Sequence, residues 1–576
     1  MAPLRVNFCM KRNLRSLFCL LIVIALLAGC TPASTPDSTE PSTTEPTTDP
    51  VTEPVTEPAE DLSIAMGELE ERLAGYAQLG SSPDDNYRTW YEIFVYSFCD
   101  TNGDGIGDLP GVISKLDYLQ NLGINGIWLM PIHPSNSYHK YDVNDYFDID
   151  PNYGTMQDFE TLLAECEKRD IKVIMDLVIN HSSSLHEWFT ITAEYLRGLP
   201  EGAEPSEEEC EYFGYYNWSK EKQSGYSKLG GTDYYYECQF SYGMPDLNLS
   251  NEALRGELTN VMRYWLDMGV SGFRVDAAKE FFTGNVEKNT EAMNWLYSTA
   301  ASLKEDVYMV GEAWTDFNTI ASYYESGFLS FFNFPFADSG GKIITTVRNI
   351  GNANMIPSYA KALQAANEAY TESNPNYIDA PFLSNHDMGR IFGFASGEEH
   401  KIKLAGAMNV LMSGSCFIYY GEEIAMPGSG NDPSKRAPMY WNELRTDGTT
   451  TPPPSCTIPN EYPYGSLEDQ INDPNSIYNF YREVIAIRNA LPVISHGVTT
   501  AETALNVDCI SAQRKTWNDQ QCIILMNINT EAAEVDLSAY ADWKLAATLS
   551  VDGNPTELEG TTLNMAACGI AILLPN

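Results

Sequence analysis

An arginine and an aspartate lie two residues apart in an otherwise apolar run, GFRVDAAKE (272–280). Side chains alternate between the two faces of a β-strand, so Arg274 and Asp276 share one face while Phe273 and Val275 share the other. A buried charge is costly unless it is paired. The two charged residues therefore form either a structural ion pair in a core or part of a catalytic site.

Other acids and histidines also stand at the ends of short apolar runs. These residues are His181, Glu312, His386 and Asp387. Three carboxylates with no recognisable redox-cofactor motif suggest acid/base and nucleophilic chemistry. Glycoside hydrolysis needs one carboxylate that attacks the anomeric carbon and one carboxylic acid that protonates the leaving oxygen.

The position of Arg274 assigns a role to two of these acids. The nucleophile must stay ionised, and Arg274 on the same strand face would lower the pKa of Asp276. The acid must stay protonated near neutral pH, through burial or a like-charged neighbour. We therefore predict that Asp276 is the nucleophile and that Glu312 is the general acid/base.

Eight short apolar runs, alternating with amphipathic patterns that predict helices such as those at 111–123 and 251–269, are available to position these residues. The runs cover 89–98, 124–131, 171–181, 271–278, 307–314, 327–334, 380–387 and 416–424. Strands that alternate with helices indicate a parallel sheet covered by helices. Eight such units predict a closed (β/α)₈ TIM barrel, whose active site lies where the strands end. One mouth would then collect the three acids, both histidines and Arg274.

The remaining segments predict further domains. We expect a helical lead-in at 61–85 and barrel residues at 86–181 and 247–497. About seventy residues separate the third run from the next helix, which predicts an inserted subdomain at 182–246. Short alternating patterns with turns predict a C-terminal antiparallel β-sandwich at 498–576.

The N-terminus has the pattern of a targeting segment. Basic residues precede an apolar run at 17–28, as in a signal peptide, and the run ends in a sequence that resembles a bacterial lipobox. We expect cleavage of a signal peptide at 1–30 and lipidation of Cys30; an ordinary secretory signal is the alternative. Residues 31–60, rich in Thr, Pro and acids, predict a disordered tether. The chain would then be an extracytoplasmic lipoprotein anchored to the membrane at the cell surface.

The net charge of the chain argues against some classes of binding partner. The chain has 35 Lys and Arg against 79 Asp and Glu, a formal charge of −44. This balance argues against binding nucleic acid, whose phosphates a binder must neutralise, and against binding an anionic lipid surface. It suits a neutral substrate, and we expect the enzyme to act as a monomer.

Five segments carry a family resemblance. DLVINH (176–181), GFRVDAAK (272–279), GEAW (311–314) and FLSNHD (382–387) resemble the four signature segments of the alpha-amylase family of retaining glycoside hydrolases. MPDLN (244–248) resembles its fifth. The resemblance implies the same roles for Asp276 and Glu312, and it makes Asp387 a third carboxylate that holds sugar hydroxyls.

The same resemblance implies a set of substrate contacts. These residues are Tyr141, Asp142, His181, Arg274, Lys279 and His386. The implied substrate is starch or maltooligosaccharides. Ala277 follows the nucleophile where relatives that cut α-1,6 links often carry valine, which favours α-1,4 cleavage. The alternatives are an α-glucosidase or oligo-1,6-glucosidase, a 4-α-glucanotransferase, and an inactive glucan-binding protein.

A calcium site is predicted in DTNGDGIGD (100–108), after the first run. Oxygen donors fall at alternate positions, at Asp100, Asn102, Asp104, the Ile106 carbonyl and Asp108. Their order matches the first nine positions of an oxygen-rich calcium loop, although the final glutamate is missing. The alternative is an Asx-rich turn without metal. A second family calcium near Asn180 stays open, because Glu280 replaces the histidine that many relatives carry there.

Overall fold

The computed structural model describes residues 59–446, 448–458 and 462–576. The predicted signal peptide, Cys30 and almost all of the predicted tether lie outside these residues. Within the described part of the chain, no helix combines the length and the apolar character needed to cross a lipid bilayer.

The strands fall into four sheets. In chain order they are β1 (Thr89–Ile93), β2 (Gly126–Leu129), β3 (Lys172–Leu177), β4 (Trp218–Ser219), β5 (Tyr226–Lys228), β6 (Tyr235–Glu237), β7 (Gly272–Val275), β8 (Tyr308–Gly311), β9 (Ser330–Phe331), β10 (Cys416–Tyr419), β11 (Val498–Ala501), β12 (Ile510–Trp517), β13 (Gln520–Asn527), β14 (Ala533–Asp536), β15 (Trp543–Leu549), β16 (Glu557–Glu559), β17 (Thr562–Met565) and β18 (Ile570–Pro575).

Helices connect and cover the strands. In chain order they are α1 (Ala59–Ala77), α2 (Val95–Phe98), α3 (Leu109–Ser114), α4 (Leu116–Leu122), α5 (Met156–Glu167), α6 (Glu187–Gly198), α7 (Glu252–Met268), α8 (Val286–Leu303), α9 (Phe317–Tyr324), α10 (Lys342–Arg348), α11 (Ser358–Ser373), α12 (Ile391–Phe394), α13 (Glu399–Val410), α14 (Asp432–Lys435), α15 (Leu467–Ile471), α16 (Ile477–Ala490) and α17 (Pro492–His496). Three short 3₁₀ helices lie at Glu211–Tyr215, Ala278–Glu280 and Ser538–Tyr540.

Seven parallel strands form the barrel sheet in the order β10-β1-β2-β3-β7-β8-β9. The segment at 379–381 takes the eighth place. Ala380 bridges Phe332 in parallel register, and the Phe417 N–H donates to the Pro381 carbonyl at 2.8 Å. The fold is therefore the predicted (β/α)₈ barrel, with antiparallel sheets at its C-terminal end.

Aromatic rings fill the barrel interior. The Trp90 ring of β1 stacks on Tyr308 of β8 at a centroid distance of 5.2 Å and on Phe417 of β10 at 6.0 Å. Gly126 of β2 makes room for it, since a Cβ there would lie 2.4 Å from the Trp90 ring. This dense core holds the strand ends in fixed positions.

Local signals explain where the long helix α7 begins and ends. The Asn251 side chain accepts a hydrogen bond from the Leu254 N–H at 2.9 Å, which caps the N-terminus. Gly269 ends the helix with φ = +118°. The predicted helix at 251–269 is thereby confirmed.

Three predicted elements differ from the structure. The strand predicted at 89–98 ends at Ile93, and helix α2 follows it. The helix predicted around Leu116 is divided into α3 and α4 at Lys115. The strand predicted at 380–387 is reduced to the bridge at Ala380, because the chain turns beyond it and the Met388 N–H donates to the Asn385 carbonyl.

The segments beyond the barrel have their own sheets. Residues 182–246 contain α6, the first 3₁₀ helix and the antiparallel sheet β4-β6-β5. Residues 498–576 form the sheets β11-β12-β13-β18-β15 and β14-β17-β16, with a shared apolar core that includes Ile523, Leu525 and Leu563. The domain boundaries stay predictions.

Candidate active site

One cavity of about 630 Å³ opens at the carboxyl ends of the barrel strands. Six predicted residues line it: Tyr141, His181, Asp276, Lys279, Glu312 and Asp387. Arg274 and His386 lie behind this wall and are fully buried. The strand ends therefore bring the predicted acids to one place.

Arg274, on β7, joins the acids of three strands. Its Nη1 lies 2.7 Å from Asp276 Oδ1 and 2.6 Å from Asp176 Oδ1, and its Nη2 lies 3.1 Å from Glu312 Oε1. Sequence reasoning predicted the contact with Asp276. It missed Asp176, which pairs in register with Arg274 across β3 and β7. A guanidinium bound to three carboxylates fixes the geometry of the cavity floor.

Burial dominates the pKa values of the two proposed reacting groups. It raises the pKa of Asp276, and the Arg274 guanidinium opposes that rise. The expected effect of Arg274 is therefore present, but burial outweighs it. Burial also raises the pKa of Glu312, against Arg274 and together with the negative charges of Asp276 and Asp387.

The backbone after β7 holds Glu312 in place. The Ala277 N–H donates to Glu312 Oε2 at 2.9 Å, and the Ala278 N–H donates to the Glu312 carbonyl at 3.0 Å. Ala277 adopts the left-handed conformation with φ = +46°. This conformation is uncommon for a residue other than glycine, and it turns the N–H toward the carboxylate.

Asp387 is held by two basic side chains. Its Oδ2 lies 3.0 Å from His386 Nε2 and its Oδ1 lies 2.8 Å from Arg436 Nη2. Burial would raise the pKa of Asp387, but the charges of His386 and Arg436 outweigh it and hold this pKa well below its usual range. Asp387 is thus an ionised acceptor, suited to binding sugar hydroxyls.

Tyr141 and His181 form one side of the cavity. The Tyr141 ring stacks on the His386 ring at a centroid distance of 5.5 Å. His181 Nε2 lies 3.1 Å from the Tyr141 carbonyl oxygen, and burial lowers the pKa of His181 to about 4. His181 is therefore a neutral hydrogen-bonding group at neutral pH.

Asp142 lies in the loop that carries Tyr141. Its carboxylate accepts hydrogen bonds from the hydroxyls of Ser135, at 2.6 Å, and Ser137. It is absent from the cavity wall. These hydrogen bonds stabilise the loop that carries Tyr141, and the predicted substrate contact of Asp142 stays a prediction.

The outer part of the cavity carries an ion pair and two exposed aromatic rings. Lys279 pairs with Glu280, and both line the wall. Phe240 and Trp314 also line it and are 54% and 44% exposed. Neither ring was predicted from the sequence to contact the substrate. Exposed rings beside polar groups provide surfaces on which sugar rings pack.

The predicted calcium loop is closed by its own hydrogen bonds. The N–H groups of Gly103 and Gly105 donate to the Asp100 carboxylate, and the Ile106 N–H donates to Asp104 Oδ1. The Asp108 carboxylate caps α3 through the Gly111 N–H. Asn102 Oδ1 accepts from the Asp104 N–H.

Clusters of metal-binding side chains would be a separate indication of a metal site. Among the residues that the structure describes, no group of three or more His, Cys, Asp or Glu side chains is placed to hold a metal ion. The loop at 100–108 differs from such a cluster because it would also use amide and backbone oxygens. Asn180, considered for a second calcium, has its amide nitrogen 3.4 Å from His181 Nδ1.

Sequence reasoning missed three charged residues of the site. Asp176 lies within DLVINH, and its register opposite Arg274 was the available signal. Glu92 lies on β1, with Oε1 2.5 Å from His386 Nδ1. Arg436 follows α14, far from every motif, and no local pattern points to it.

Comparison with known proteins agrees with this geometry. A family model described as "Alpha amylase, catalytic domain" matches residues 92–497. Alpha-amylase 3 from Dictyoglomus thermophilum is 40% identical over 450 residues, which cover 76% of this chain and 84% of the relative. A glucan 1,6-alpha-glucosidase from Streptococcus pneumoniae is 28% identical and covers 77% of this chain and 91% of its own.

Solved structures agree as well. Eubacterium rectale Amy13B superposes with a TM-score of 0.83 at 43% identity and covers 86% of this chain and 97% of its own. An alpha-amylase from H. orenii superposes with a TM-score of 0.73 at 33% identity and covers 85% of this chain and 100% of its own. Together with the acids around Arg274, these matches lead to one conclusion: the chain belongs to the alpha-amylase family of glycoside hydrolases.

Proposed function

We propose that the protein is an alpha-amylase that cleaves α-1,4-glucosidic bonds in starch and maltooligosaccharides through a covalent glycosyl-enzyme intermediate. The observation that carries this proposal is the contact of one guanidinium with both Asp276 and Glu312. Because one planar guanidinium contacts both residues, the carboxyl groups of Asp276 and Glu312 lie close together. Retaining glycosidases need a separation of about 5 Å, shorter than inverting enzymes require.

In this mechanism Asp276 attacks the anomeric carbon and Glu312 protonates the leaving oxygen. The shorter contact of Arg274 with Asp276, 2.7 Å against 3.1 Å, favours the ionised form of Asp276. Burial and the charges of Asp276 and Asp387 favour the protonated form of Glu312. Glu312 then removes a proton from the incoming water, and the intermediate is hydrolysed with net retention.

The substrate contacts follow from the same network. Asp387, ionised between His386 and Arg436, is suited to accept hydrogen bonds from two adjacent hydroxyls of the attacked sugar. Tyr141 offers a ring face beside it, and neutral His181 offers a further hydrogen bond. Lys279 and Trp314 lie where they are available to the leaving-group sugar.

Chemical rescue tests the two roles. We expect Glu312→Ala to lose about 10²- to 10⁴-fold in turnover of maltooligosaccharides. With an aryl α-maltoside, whose leaving group needs no acid, azide should restore turnover and give the α-maltosyl azide, because azide attacks the intermediate on Asp276. Asp276→Ala should form no such α-product. Glu423→Gln, a buried acid that contacts Tyr91 and Tyr118, is the matched control. Near-normal activity in either alanine variant would refute the assignment.

Product analysis tests the substrate. Incubation with maltoheptaose and with an isomaltooligosaccharide should yield mixed short maltooligosaccharides from the first alone. Glucose alone, or cleavage of the second, would favour the exo-acting glucosidase, in line with the relative named glucan 1,6-alpha-glucosidase. Products longer than the starting sugar would favour a glucanotransferase.

We also propose that the loop at 100–108 binds calcium in a structural role. Asp100, Asn102, Asp104, the Ile106 carbonyl and Asp108 supply the hard oxygen donors that calcium prefers. Hydrogen bonds from Gly103, Gly105 and Ile106 already close the loop, and Asp108 would order it by capping α3. The loop follows β1 and α2 and lies outside the cavity wall, so the ion would supply local rigidity.

The cellular location is likewise a proposal. The apolar run at 17–28 and the lipobox-like sequence before Cys30 support a lipid anchor at the cell surface. The acidic, proline-rich segment at 31–60 would then separate the enzyme from the membrane.

A further inference from the structure

Glu92 is a buried carboxylate for which the mechanism above has no role. It lies on β1, is 2% exposed, and faces the barrel interior on the same side as Trp90. Its Oε1 lies 2.5 Å from Nδ1 of His386, which is fully buried. An ionised acid in such a place needs a partner that donates a hydrogen bond.

The second nitrogen of His386 also faces acceptors. Nε2 lies 3.0 Å from Asp387 Oδ2 and 2.8 Å from the Tyr141 hydroxyl oxygen. An ionised carboxylate only accepts hydrogen bonds. A neutral imidazole carries one N–H and would turn a lone pair toward one of the two carboxylates. Burial raises the pKa of Glu92, and the charges of His386 and Arg274 oppose that rise. With both carboxylates ionised, both contacts are satisfied together only when both ring nitrogens carry hydrogen.

We propose that Glu92 is a positioning residue that keeps His386 as an imidazolium during catalysis. This inference rests on the proposed glycosidase function of the same site. Glu92 acts through His386, which donates one N–H to Glu92 and the other to Asp387. The charge on His386 keeps Asp387 ionised and oriented toward the sugar hydroxyls.

Several charged and titratable groups surround His386. They are Glu92 on β1, Tyr141 in the loop after β2, Asp176 on β3, Arg274 and Asp276 on or after β7, and Asp387 and Arg436. The carboxylates stabilise the imidazolium and the two arginines oppose it. Burial lowers the pKa of His386, but Asp387 and Glu92 outweigh it and raise this pKa to about 9.

The effect of Glu92 depends on pH through the charge on His386. The folded-state pKa of His386 lies above its ordinary value of 6.5, so the charged form persists until the pH rises through about 9. Glu92→Gln removes one of the two carboxylates that hold the proton. The glutamine fits the same space and bonds a neutral imidazole. His386 should then lose its charge within the neutral range, where the wild-type histidine keeps it.

The test compares pH profiles of kcat/KM on maltoheptaose. We expect the ratio of wild-type to Glu92→Gln activity to be near one at pH 5.5 and to grow about tenfold by pH 8.5, because each pH unit above the pKa of His386 in the variant lowers its charged fraction about tenfold. The loss should fall mainly on KM, because Asp387 binds hydroxyls. A ratio that is constant across this pH range would mean that Glu92 only packs the barrel, and it would overturn the proposal.

A matched control separates this effect from general destabilisation. Glu423→Gln also changes a buried carboxyl group near the strand ends, and Glu423 accepts hydrogen bonds from the hydroxyls of Tyr91 and Tyr118. Its activity ratio should not change with pH. If the azide experiment fails but the Glu92 ratio still changes with pH, the assigned catalytic roles are wrong while the pairing of Glu92 with His386 stands.

A direct measurement applies even where Glu92→Gln folds poorly. The chain has seven histidines, so selective labelling of their ring carbons gives a short spectrum, with His386→Asn for assignment. In the wild-type protein the His386 signal should report the charged form at pH 7.5. A neutral signal at that pH would refute the proposal.

Discussion

At the scale of single residues, the site depends on charges that are balanced against one another. Arg274 contacts Asp176, Asp276 and Glu312 within hydrogen-bonding distance. Buried ions are stable only when they are paired, so the charge state of each acid depends on the others. A substitution at one member therefore changes activity through several groups at once.

The backbone at Ala277 gives a prediction about strain. A β-branched residue is strained at φ = +46°, at a cost of about 1–3 kcal/mol. We expect Ala277→Val to lower the free energy of unfolding by this amount and to lower kcat, because its N–H orients Glu312. Urea unfolding and steady-state kinetics measure the two effects.

The control for this prediction is Ala277→Gly. Glycine adopts the left-handed conformation without penalty, so this variant should match or exceed the stability of the wild type. Equal stability of the valine and glycine variants would contradict the strain argument.

At the scale of elements, the sequence predicted the barrel because each unit repeats the same pattern. The ends of the elements were less predictable. VYSF continues the apolar run of β1 but forms helix α2, since apolar content alone does not separate a strand from a buried helix. Asp276, Glu312 and Asp387 were predictable because each ends a run within a motif. Glu92 and Arg436 were not, because their partners are distant in sequence.

The loop between α2 and α3 gives a prediction about calcium. Asp104→Asn keeps an oxygen that accepts from the Ile106 N–H but removes one negative charge from the donor set. We expect calcium to raise the melting temperature of the wild-type protein and to have a much smaller effect on this variant. Thermal unfolding with chelator and with added calcium measures this difference.

Two outcomes would count against the calcium loop. One is a wild-type melting temperature that does not change between chelator and excess calcium. The other is an equal response of wild type and Asp104→Asn, which would place any bound calcium elsewhere.

At the scale of the whole molecule, helix α1 joins the barrel to the C-terminal sheets. The Tyr76 hydroxyl lies 3.0 Å from Glu483 Oε1 on α16 and 3.1 Å from the Thr548 carbonyl oxygen on β15. Arg72 also pairs with Glu483, at 2.8 Å, and Leu69 is fully buried. The helix therefore contributes to the stability of both parts.

Removal of one hydroxyl tests this contribution. Tyr76→Phe keeps the buried ring but leaves Glu483 with fewer donors. We expect it to lower the free energy of unfolding by about 1–2 kcal/mol, as measured in urea. Tyr242→Phe, at a position 76% exposed, is the control and should be neutral. Equal stability of the two variants would refute a bridging role for Tyr76.

The placement of α1 also has a mechanical consequence. A force pulling on the N-terminal end of this helix would load α16 through Arg72 and Tyr76, and β15 through Tyr76, at the same moment. The barrel and the C-terminal sheet would then share the load. Tension on the chain would be spread over the barrel and the C-terminal sheet, away from the strand ends that hold the acids.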